Sequence, residues 1–395
     1  MVPFYNTIIE MKIFIISRGI PETDDPQWGN FELDQAKALS QKGHQVIMLS
    51  VDGRLRLKKR KLGISKYTIE HIPVYSLYLF PVSPFRIFGK RMPRIISSFL
   101  ILQLYKRVLK EEKAPDILYA HYFSNIIGAT KIGGKYHIPT IGLEHWSKMG
   151  KCDIPSDLLK DAILYYPKVD QLLTVSEALR LNIKEKTGVD SIVVNNIVDS
   201  IFSYRPPSLP KANKESISIV TVGSILPIKG YDILIEALAI VRNTNTNWNL
   251  TIVGEGTDRK HIEELISSLS MNEFVTLAGR KNREAIVEIL RDSDLYVLSS
   301  YSETFGLAAV EALACGLPLV CTDCGGPRDF VQESNGVVCK VGDARDMAAK
   351  ILYMLEHIHD YDNAGIAKDC SNRFSPQVIA DKLDTILENT IRKND

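Results

Sequence analysis

Residues 294–318 read DLYVLSSYSETFGLAAVEALACGLP, and this stretch decides the fold. The run from Asp294 to Leu298 predicts a buried β-strand, a polar loop follows it, and the apolar spacing from Leu307 to Cys315 predicts a helix. Gly306 stands between the loop and the helix. The free backbone N–H groups at a helix start suit an anion such as a diphosphate, and glycine lets that anion approach the backbone closely.

Two carboxylates flank this glycine, Glu303 on the loop and Glu311 inside the helix. A carboxylate beside a diphosphate is unfavourable unless it serves hydroxyl groups, and sugars and ribose carry such groups. Charge-assisted hydrogen bonds of this kind contribute about 1.5–3 kcal/mol each. The alternative is an ordinary amphipathic helix with a solvated glutamate. The order of strand, loop, glycine and helix favours a ligand site instead.

The same alternation of strand and helix runs through nearly the whole chain. In the first half, β-prone runs lie at residues 12–17, 45–50, 74–79, 116–120, 140–143, 171–175 and 191–195. In the second half they lie at residues 218–222, 249–253, 274–277, 294–298, 317–321 and 336–339. This pattern predicts an α/β protein with two Rossmann-like, doubly wound domains. Ligands bind beyond the carboxyl ends of such strands, so we expect the site in a central cleft that the two domains face.

A proline-rich polar segment, residues 203–216, interrupts the alternation and predicts a linker. We therefore expect an N-terminal acceptor-side domain (1–205), a C-terminal domain that binds the main ligand (206–375) and a last helical segment (376–395). The length of 395 residues and the hydrophobic content of 45% agree with two globular domains. No stretch approaches the roughly 20 apolar residues that span a bilayer, and no signal peptide is evident, so we expect a cytoplasmic protein.

The segment from Ser302 to Pro318 resembles the retaining family-4 glycosyltransferases, which have the GT-B fold. Related motifs lie at residues 196–202, 222–230, 253–256 and 323–329, and more faintly at Gly43-His44. The resemblance spans most of the chain and is most specific between residues 217 and 340. It implies transfer of a sugar from a nucleoside diphosphate sugar to a hydroxyl acceptor. It also implies that the last helix, residues 376–392, crosses back to the first domain.

The resemblance assigns roles to individual residues. Glu303 contacts the hydroxyl groups of the donor sugar, Glu311 contacts the ribose, and Lys229 neutralises a phosphate. His145, which follows a predicted strand, resembles the active-site histidine of the family, although a lone histidine is more often structural. The implied catalytic residues are His145, Glu303 and Lys229. The implied donor-binding residues are Gly29, Ser224, Gly254, Arg280, Thr304, Phe305, Gly306, Leu307 and Glu311.

One position departs from the family pattern. The family usually has an arginine directly after the glycine equivalent to Gly223, and this chain has Ser224 there. The loss of one cation weakens stabilisation of the leaving diphosphate unless Lys229 and the helix start suffice or another cation substitutes. In the family the leaving phosphate itself is thought to take the acceptor proton. We expect no cofactor and no metal, since Asp294 of the sequence Asp292-Ser293-Asp294 opens a strand rather than ending one.

Two other functions remain open at this stage. A nucleotide-sugar epimerase of the same fold would release an epimer or free sugar without any acceptor. A non-catalytic paralogue, which the serine at position 224 motivates, would bind a nucleotide sugar and transfer nothing. The motifs do not select the base, the sugar or the acceptor.

Positive charge is concentrated in one region, Arg54–Lys110. It contains fourteen basic residues and a single acid, Glu70, whereas the whole chain has a net charge of +1. Basic residues beside apolar ones suit an anionic membrane surface, and nucleic acid or a solvated loop are the alternatives. We favour a membrane that carries a lipid-linked acceptor, and we expect no nucleic-acid partner. This predicts a peripheral location at the inner face of the plasma membrane and a role in bacterial surface polysaccharide or glycolipid synthesis.

Overall fold

The computed structural model describes residues 10–21, 28–52, 62–79, 90–151, 153–206 and 216–394. Contacts between Cα atoms divide the chain into two units. The first contains the described residues up to Ile197 together with the C-terminal segment from Pro376, and the second contains Val198 to Ser375.

The first unit has one eight-stranded sheet in the order β3-β4-β2-β1-β5-β6-β7-β8. Its strands are β1 (Lys12–Ser17), β2 (Gln45–Asp52), β3 (Gly63–Ile69), β4 (Ile72–Tyr78), β5 (Ile117–His121), β6 (Thr140–Glu144), β7 (Gln171–Thr174) and β8 (Ile192–Val193). Its helices are α1 (Asn30–Gln41), α2 (Met92–Val108), α3 (Phe123–Tyr136), α4 (Ser156–Tyr165) and α5 (Glu177–Thr187). Seven strands run parallel, because only β3 pairs with its neighbour in the antiparallel sense.

The second unit has one six-stranded parallel sheet in the order β11-β10-β9-β12-β13-β14. Its strands are β9 (Ile217–Val222), β10 (Trp248–Val253), β11 (Val275–Gly279), β12 (Leu295–Leu298), β13 (Leu319–Thr322) and β14 (Gly336–Cys339). Its helices are α6 (Tyr231–Arg242), α7 (Arg259–Ser268), α8 (Arg283–Asp292), α9 (Leu307–Ala314), α10 (Ala344–His357) and α11 (Asn363–Phe374). These two doubly wound α/β units confirm the predicted fold class.

Each sheet has one point at which the strand order reverses. In the first unit it lies between β1 and β5, and in the second between β9 and β12. Ligands of doubly wound folds bind at this switch point, beyond the carboxyl ends of the strands, because the loops there diverge to opposite faces of the sheet. We therefore expect the functional residues in the loops that follow these four strands.

Strand β3 was not predicted from the sequence. It forms a hairpin with β4, and the turn residues Glu70 and His71 both have positive φ, at 46° and 70°. This backbone twist suits a two-residue hairpin, although glycine and asparagine are the usual residues there. The polar sequence of β3 fits an edge strand with an exposed face, and for this reason it lacks the apolar run that marks the central strands.

The last helix, α12 (Pro376–Arg392), packs on α1 of the first unit. Lys42 Nζ lies 2.6 Å from Asp381 Oδ1 and 3.0 Å from Asp384 Oδ2, and His44 Nε2 lies 3.0 Å from Asp384 Oδ1. His44 is buried and also accepts a hydrogen bond from the amide of Met11. The turn after α1 thus ties β1 to the C-terminal helix.

Residues 198–206 pack with the second unit. Arg283 Nη1 lies 2.8 Å from Asp199 Oδ2, and Arg291 Nε donates to the carbonyl oxygen of Ser203 at 3.0 Å. The division of the chain at residue 197 therefore falls a few residues before the predicted boundary at 205. Most of the predicted linker, residues 207–215, lies outside the described residues.

Candidate active site

The switch point of the second unit brings two predicted residues into contact. Lys229 follows β9 in a short 3-10 turn, Glu303 follows β12, and Lys229 Nζ lies 2.6 Å from Glu303 Oε1. Ser300 Oγ donates to the same carboxylate oxygen at 2.7 Å. The two charged side chains are 26% and 12% exposed, so the pair is screened from water but still open to a ligand. A phosphate-binding cation and a hydroxyl-binding carboxylate thus stand side by side.

Backbone contacts hold the two loops together. The amide of Tyr301 donates to the carbonyl oxygen of Ile228 at 2.8 Å, and Ser299 Oγ donates to that of Lys229 at 2.8 Å. Gly230 has φ 62°, and a Cβ atom there would overlap the carbonyl oxygen of Ser299. Only glycine permits this approach, so the position of Lys229 depends on it.

The backbone of Glu303 is fixed from the other side by the loop after β13. Its amide donates to the carbonyl oxygen of Cys324 at 2.9 Å, and its carbonyl oxygen accepts from the amide of Gly326 at 3.0 Å. A Cβ atom at Gly326 would collide with the backbone of Phe305. The glycines of the 323–329 motif thus let the backbone press against the Glu303 loop.

Gly306 caps the N-terminus of α9 with φ 94° and provides no side-chain acceptor. The first N–H groups of a helix have no intrahelical partner, and within the described ranges the amides of Leu307 and Ala308 donate no hydrogen bond, so both can meet an anion. Glu311 lies one turn into α9. Burial raises the pKa of Tyr296 well above its usual range, and the carboxylates of Glu303 and Glu311 add to this shift, which places both near the same tyrosine.

The ring of Phe305 is buried. Its side chain is 1% exposed, and its ring packs against Phe330 and Phe374 with centroid distances of 5.7 Å. The ring is therefore part of the core, and only the backbone of Phe305 is left for the donor contact that the sequence predicted. The buried ring anchors the loop that carries Glu303.

Four more of the predicted donor-binding residues follow strands of this second sheet, whereas Gly29 belongs to the first unit. Ser224 and Arg280 are exposed directly after Gly223 and Gly279, and Thr304 is half-buried beside Glu303. The amide of Gly223 donates to β10, and the amide of Gly254 donates to the carbonyl oxygen of Gly279 at 3.0 Å. A Cβ atom at Gly254 would overlap the carbonyl oxygen of Gly223. Glycine at position 254 thus permits the close approach of the ends of β9 and β10.

His145 lies at the carboxyl edge of the first unit's sheet, directly after β6. It is 5% exposed, and its ring is stacked against Phe31 and Tyr122 with centroid distances of 5.7 and 4.8 Å. Its Nε2 atom lies 3.1 Å from His121 Nδ1. The structure thus brings together two histidines, of which the sequence analysis selected one.

Both histidines are neutral at physiological pH. Burial lowers the pKa of His145 well below its usual range, His121 and Arg18 lower it further, and Asn196 opposes the shift. Burial and Arg18 lower the pKa of His121 to about 3. A neutral imidazole has one donor and one acceptor nitrogen, so His145 is suited to hydrogen bonding rather than to neutralising a charge.

Glu144 orients His145. Its Oε1 atom accepts hydrogen bonds from the amides of His145 and Trp146 at 3.0 and 2.8 Å, and its Oε2 atom accepts one from Tyr166 Oη at 2.8 Å. Burial raises the pKa of Glu144 to about 7, although these hydrogen bonds oppose the shift. Glu144 therefore titrates in the physiological range and holds the strand end from which His145 projects.

Two charged residues beside this histidine were missed by the sequence analysis. Arg18 follows β1 and Glu32 lies in the first turn of α1, with Arg18 Nε 3.5 Å from Glu32 Oε1. Gly29 caps α1 with φ 86°, and a Cβ atom there would overlap the carbonyl oxygen of Gly19. The position of Arg18 directly after the first strand could have identified it as a candidate site residue, because ligands of this fold bind beyond the carboxyl ends of the strands.

The structure describes part of the basic region. Residues 53–61 and 80–89, with the dense run from Arg54 to Lys61, lie outside the described residues. The described parts form β3, β4 and α2, so they are not a solvated loop. Arg91 and Arg94 pair with Asp161, and Arg107 pairs with Glu111 at 2.8 Å. These partners reduce the positive charge that the sequence suggested.

The Asp292-Ser293-Asp294 pattern has a structural role. Asp294 is buried, and its Oδ2 atom accepts a hydrogen bond from the amide of Ser218 at 2.9 Å, which joins β12 to β9. Within the described ranges, no group of three or more His, Cys, Asp or Glu side chains is placed to hold a metal ion. No helix in the described part of the chain has both the length and the apolar character that a membrane crossing requires.

Most of the chain matches two known glycosyltransferase families. Residues 30–200 match the family described as Glycosyltransferase Family 4, and residues 208–368 match the family described as Glycosyl transferases group 1. Together the two matches cover most of the first unit and most of the second.

Among curated relatives, the chain is 26% identical over 320 residues to the phosphatidylinositol N-acetylglucosaminyltransferase GPI3 subunit of Saccharomyces cerevisiae. That match covers 76% of this chain and 66% of the yeast protein, so the chain spans slightly less than two thirds of that relative. It is 22% identical over 379 residues to N-acetyl-alpha-D-glucosaminyl L-malate synthase of Bacillus anthracis, with 90% and 92% of the two chains covered.

Solved structures show the same fold. Sucrose-phosphate synthase from Thermosynechococcus elongatus superimposes with a TM-score of 0.79 at 16% identity and covers 97% of this chain and all of that one. Anabaena HepE in complex with UDP and glucose superimposes with a TM-score of 0.73 at 19% identity and covers 96% of this chain and all of its own.

Proposed function

Since this chain is a glycosyltransferase of GT-B type, with a family 4 region ahead of a group 1 region, we propose that it moves a sugar from a nucleoside diphosphate sugar to a hydroxyl group of an acceptor with retention. The observation that carries the proposal is the contact between Lys229 and Glu303 at the switch point of the second unit. It combines the two chemical functions that a nucleotide sugar needs, a cation for its phosphates and a carboxylate for its hydroxyl groups.

The donor would be held at three points. Lys229 and the amides at the start of α9 would face the diphosphate, Glu303 would accept hydrogen bonds from the sugar hydroxyl groups, and Glu311 from those of the ribose. In the free protein Lys229 Nζ forms an ion pair with Glu303 Oε1 at 2.6 Å. Binding would exchange this ion pair for one contact of each residue with the donor.

The proposed step breaks the bond between the anomeric carbon and the phosphate oxygen. The acceptor oxygen forms the new bond on the same face of the sugar, and its proton passes to the leaving phosphate, so no protein nucleophile is needed. The role of Lys229 and the α9 terminus is to stabilise the charge that develops on the diphosphate. Since Ser224 adds no positive charge, Lys229 contributes a larger share of the stabilisation of the leaving diphosphate than it would if position 224 were an arginine.

We propose that transfer needs no metal and that His145 acts as a neutral hydrogen-bonding group toward the sugar. Its neutrality follows from burial and from the cation of Arg18. Turnover in the presence of EDTA tests the first statement, since loss of activity that Mg²⁺ restores would contradict it.

The acceptor is proposed to be lipid-linked, in bacterial surface polysaccharide or glycolipid synthesis, with the protein bound peripherally at the inner face of the plasma membrane. On α2, Ile95 and Phe99 are one turn apart and 50% and 57% exposed. Lys106 lies two turns further along the helix, and Arg91, which also pairs with Asp161, lies one turn before Ile95. One relative, by its name, acts on phosphatidylinositol. Basic and apolar side chains together suit an anionic lipid surface.

Flotation with phosphatidylglycerol vesicles tests this surface. We expect the full chain to float with anionic vesicles at low salt and less with phosphatidylcholine, and Phe99→Ser to weaken binding. Tyr353→Ser is the matched control, because Tyr353 is 46% exposed on α10 of the other unit. Equal binding of both variants would reject α2 as the membrane surface.

The transferase itself is tested with UDP-, GDP- and ADP-sugars. Thermal shifts identify the donor, because a ligand that binds the native state raises its stability. Release of the nucleoside diphosphate measures turnover, and the anomeric proton coupling in the product reports its configuration. An inverted product would contradict retention, an epimer formed without acceptor would indicate an epimerase, and binding without turnover would indicate a non-catalytic protein.

A further inference from the structure

Arg18 is held in an aromatic clamp at the switch point of the first unit. Its guanidinium carbon lies 4.3 Å from the ring centroid of Trp28 and 4.1 Å from that of Tyr122. Both contacts are within the range of cation–π attraction, which stabilises a guanidinium against aromatic faces. The clamp fixes the plane of the cation and removes the rotational freedom that a surface arginine normally keeps.

The backbone of Tyr122 is strained in a way that supports the clamp. Its φ of 66° and ψ of 146° fall in a region that only glycine adopts readily, and its ring contacts both Arg18 and His145. Such a conformation costs on the order of 1–3 kcal/mol and persists only where the surrounding structure enforces it. The fold thus tolerates strain to keep this ring beside the cation.

Glu32 faces the inner edge of Arg18. The carboxylate is fully buried, Oε1 accepts a hydrogen bond from the amide of Arg18 at 3.3 Å, and Oε2 is buried with no hydrogen-bond partner in the part of the chain that the structure describes. Glu32 therefore contacts Arg18 through the Nε atom of the guanidinium and through the backbone amide. Among the described residues, the two terminal nitrogens of Arg18 donate no hydrogen bond, and the side chain is 26% exposed.

A cation that served only to balance Glu32 would turn its terminal nitrogens toward that carboxylate. Here the closest contact with Glu32 is made by Nε at 3.5 Å, and Arg18 directly follows the carboxyl end of β1 with its guanidinium beside two aromatic rings. A planar guanidinium fork of this kind binds two oxygens of one oxyanion in bidentate fashion.

We propose that Arg18 is an oxyanion-binding residue that recognises a carboxylate or phosphate group on the acceptor. The oxyanion site stands on the geometry of Arg18 alone, and its assignment to the acceptor rests on the proposed transferase function. Neighbouring His145 then lies beside the position of the anchored acceptor. Glu32 is a positioning residue, because it acts through Arg18.

Titration of the full chain with inorganic phosphate and with acetate, at an ionic strength held constant with chloride, tests the site. We expect both anions to bind the wild-type protein by calorimetry and Arg18→Gln to weaken them about tenfold, which corresponds to one charge-assisted contact of about 1.4 kcal/mol. Arg18→Lys should bind more weakly than wild type, because an ammonium group lacks the fork. Stronger binding of phosphate identifies a phosphorylated acceptor, and stronger binding of acetate a carboxylated one.

Two controls separate this site from the donor site. Phosphate is expected to bind near Lys229 as well, so Lys229→Ala should remove that component and leave acetate binding intact. If Arg18→Gln destabilises the chain by leaving Glu32 without a counter-charge, the double variant Arg18→Gln/Glu32→Gln removes both charges and should still bind acetate more weakly than the wild type.

Wild-type affinity for both anions in the Arg18 variants would overturn the proposal, as would a wild-type protein in which neither anion shows binding that depends on Arg18. Arg18-dependent anion binding in a protein that binds no nucleotide sugar would instead reject the proposed function and leave the site standing.

Discussion

Lys229 Nζ and Glu303 Oε1 lie 2.6 Å apart although 74 positions separate the two residues in the chain. Each is the last charged side chain of a loop that follows one of the two strands at the switch point of the second unit. The contact places a phosphate-binding and a hydroxyl-binding group at one spot, and most of what we expect from mutagenesis of the second unit follows from it.

Lys229→Ala and Glu303→Gln should each lower kcat/KM by about a hundredfold or more, the usual loss when one preorganised electrostatic contact is removed from an active site. Transfer assays with the identified donor measure this effect. Lys260→Ala is the matched control, because Lys260 makes an exposed ion pair with Glu264 at 3.7 Å on α7 of the same unit. Comparable losses in all three variants would speak against a specific role for the pair.

Gly254→Ala should destabilise the second unit, because the added Cβ would overlap the carbonyl oxygen of Gly223. The control is Gly134→Ala in α3 of the first unit, where a Cβ meets nothing within 4 Å. Alanine in a helix is favoured over glycine, so this control should raise the free energy of unfolding by about 0.5–1 kcal/mol. Urea unfolding measures both changes, and opposite signs are the expected result.

Glu144 should make the stability of the first unit depend on pH. Its pKa in the folded protein is about 7, above the ordinary value of 4.5, so between these values the folded state keeps a proton that the unfolded state releases. Its contribution is therefore fully present below about pH 4.5 and falls by up to about 1.4 kcal/mol per pH unit as the pH rises toward 7.

Glu144→Gln should remove that slope, and urea unfolding at pH 5, 6 and 7 measures it. His121, whose pKa burial lowers to about 3, contributes the opposite slope in both proteins. The difference between wild type and variant therefore isolates Glu144. Parallel stability curves for the two proteins would contradict a raised pKa.

Asp384→Ala should loosen α12 from the first unit. Asp384 is buried and contacts both Lys42 and His44, so its removal leaves the buried Nε2 atom of His44 without this partner and takes away one of the two carboxylates beside Lys42. A loss of about 1–3 kcal/mol in the free energy of unfolding is expected. Asp381→Ala serves as the control, because Asp381 meets Lys42 at the surface with 53% of its side chain exposed, where ion pairs contribute little.

Local patterns in the chain were sufficient for much of this picture. The alternation of apolar strands with helical spacing identified the doubly wound class, and the strand, loop, glycine and helix order located the Glu303 loop. The missed strand β3 has a polar, edge-strand sequence that does not carry the apolar run of a central strand. The contact-based division at residue 197 differs from the predicted boundary at 205, because Asp199 and Ser203 contact Arg283 and Arg291 of the second unit and no local signal reveals these contacts.

By itself, then, the sequence determined which elements form and which of their ends carry polar groups, because hydrophobic periodicity and turn chemistry act over a few residues. Only the tertiary structure decided which residues the side chains at those ends contact. It turned Phe305 inward, joined Lys229 to Glu303, buried His121 against His145, and clamped Arg18 between Trp28 and Tyr122. These outcomes depend on strand order and on desolvation, which arise only when distant segments pack together.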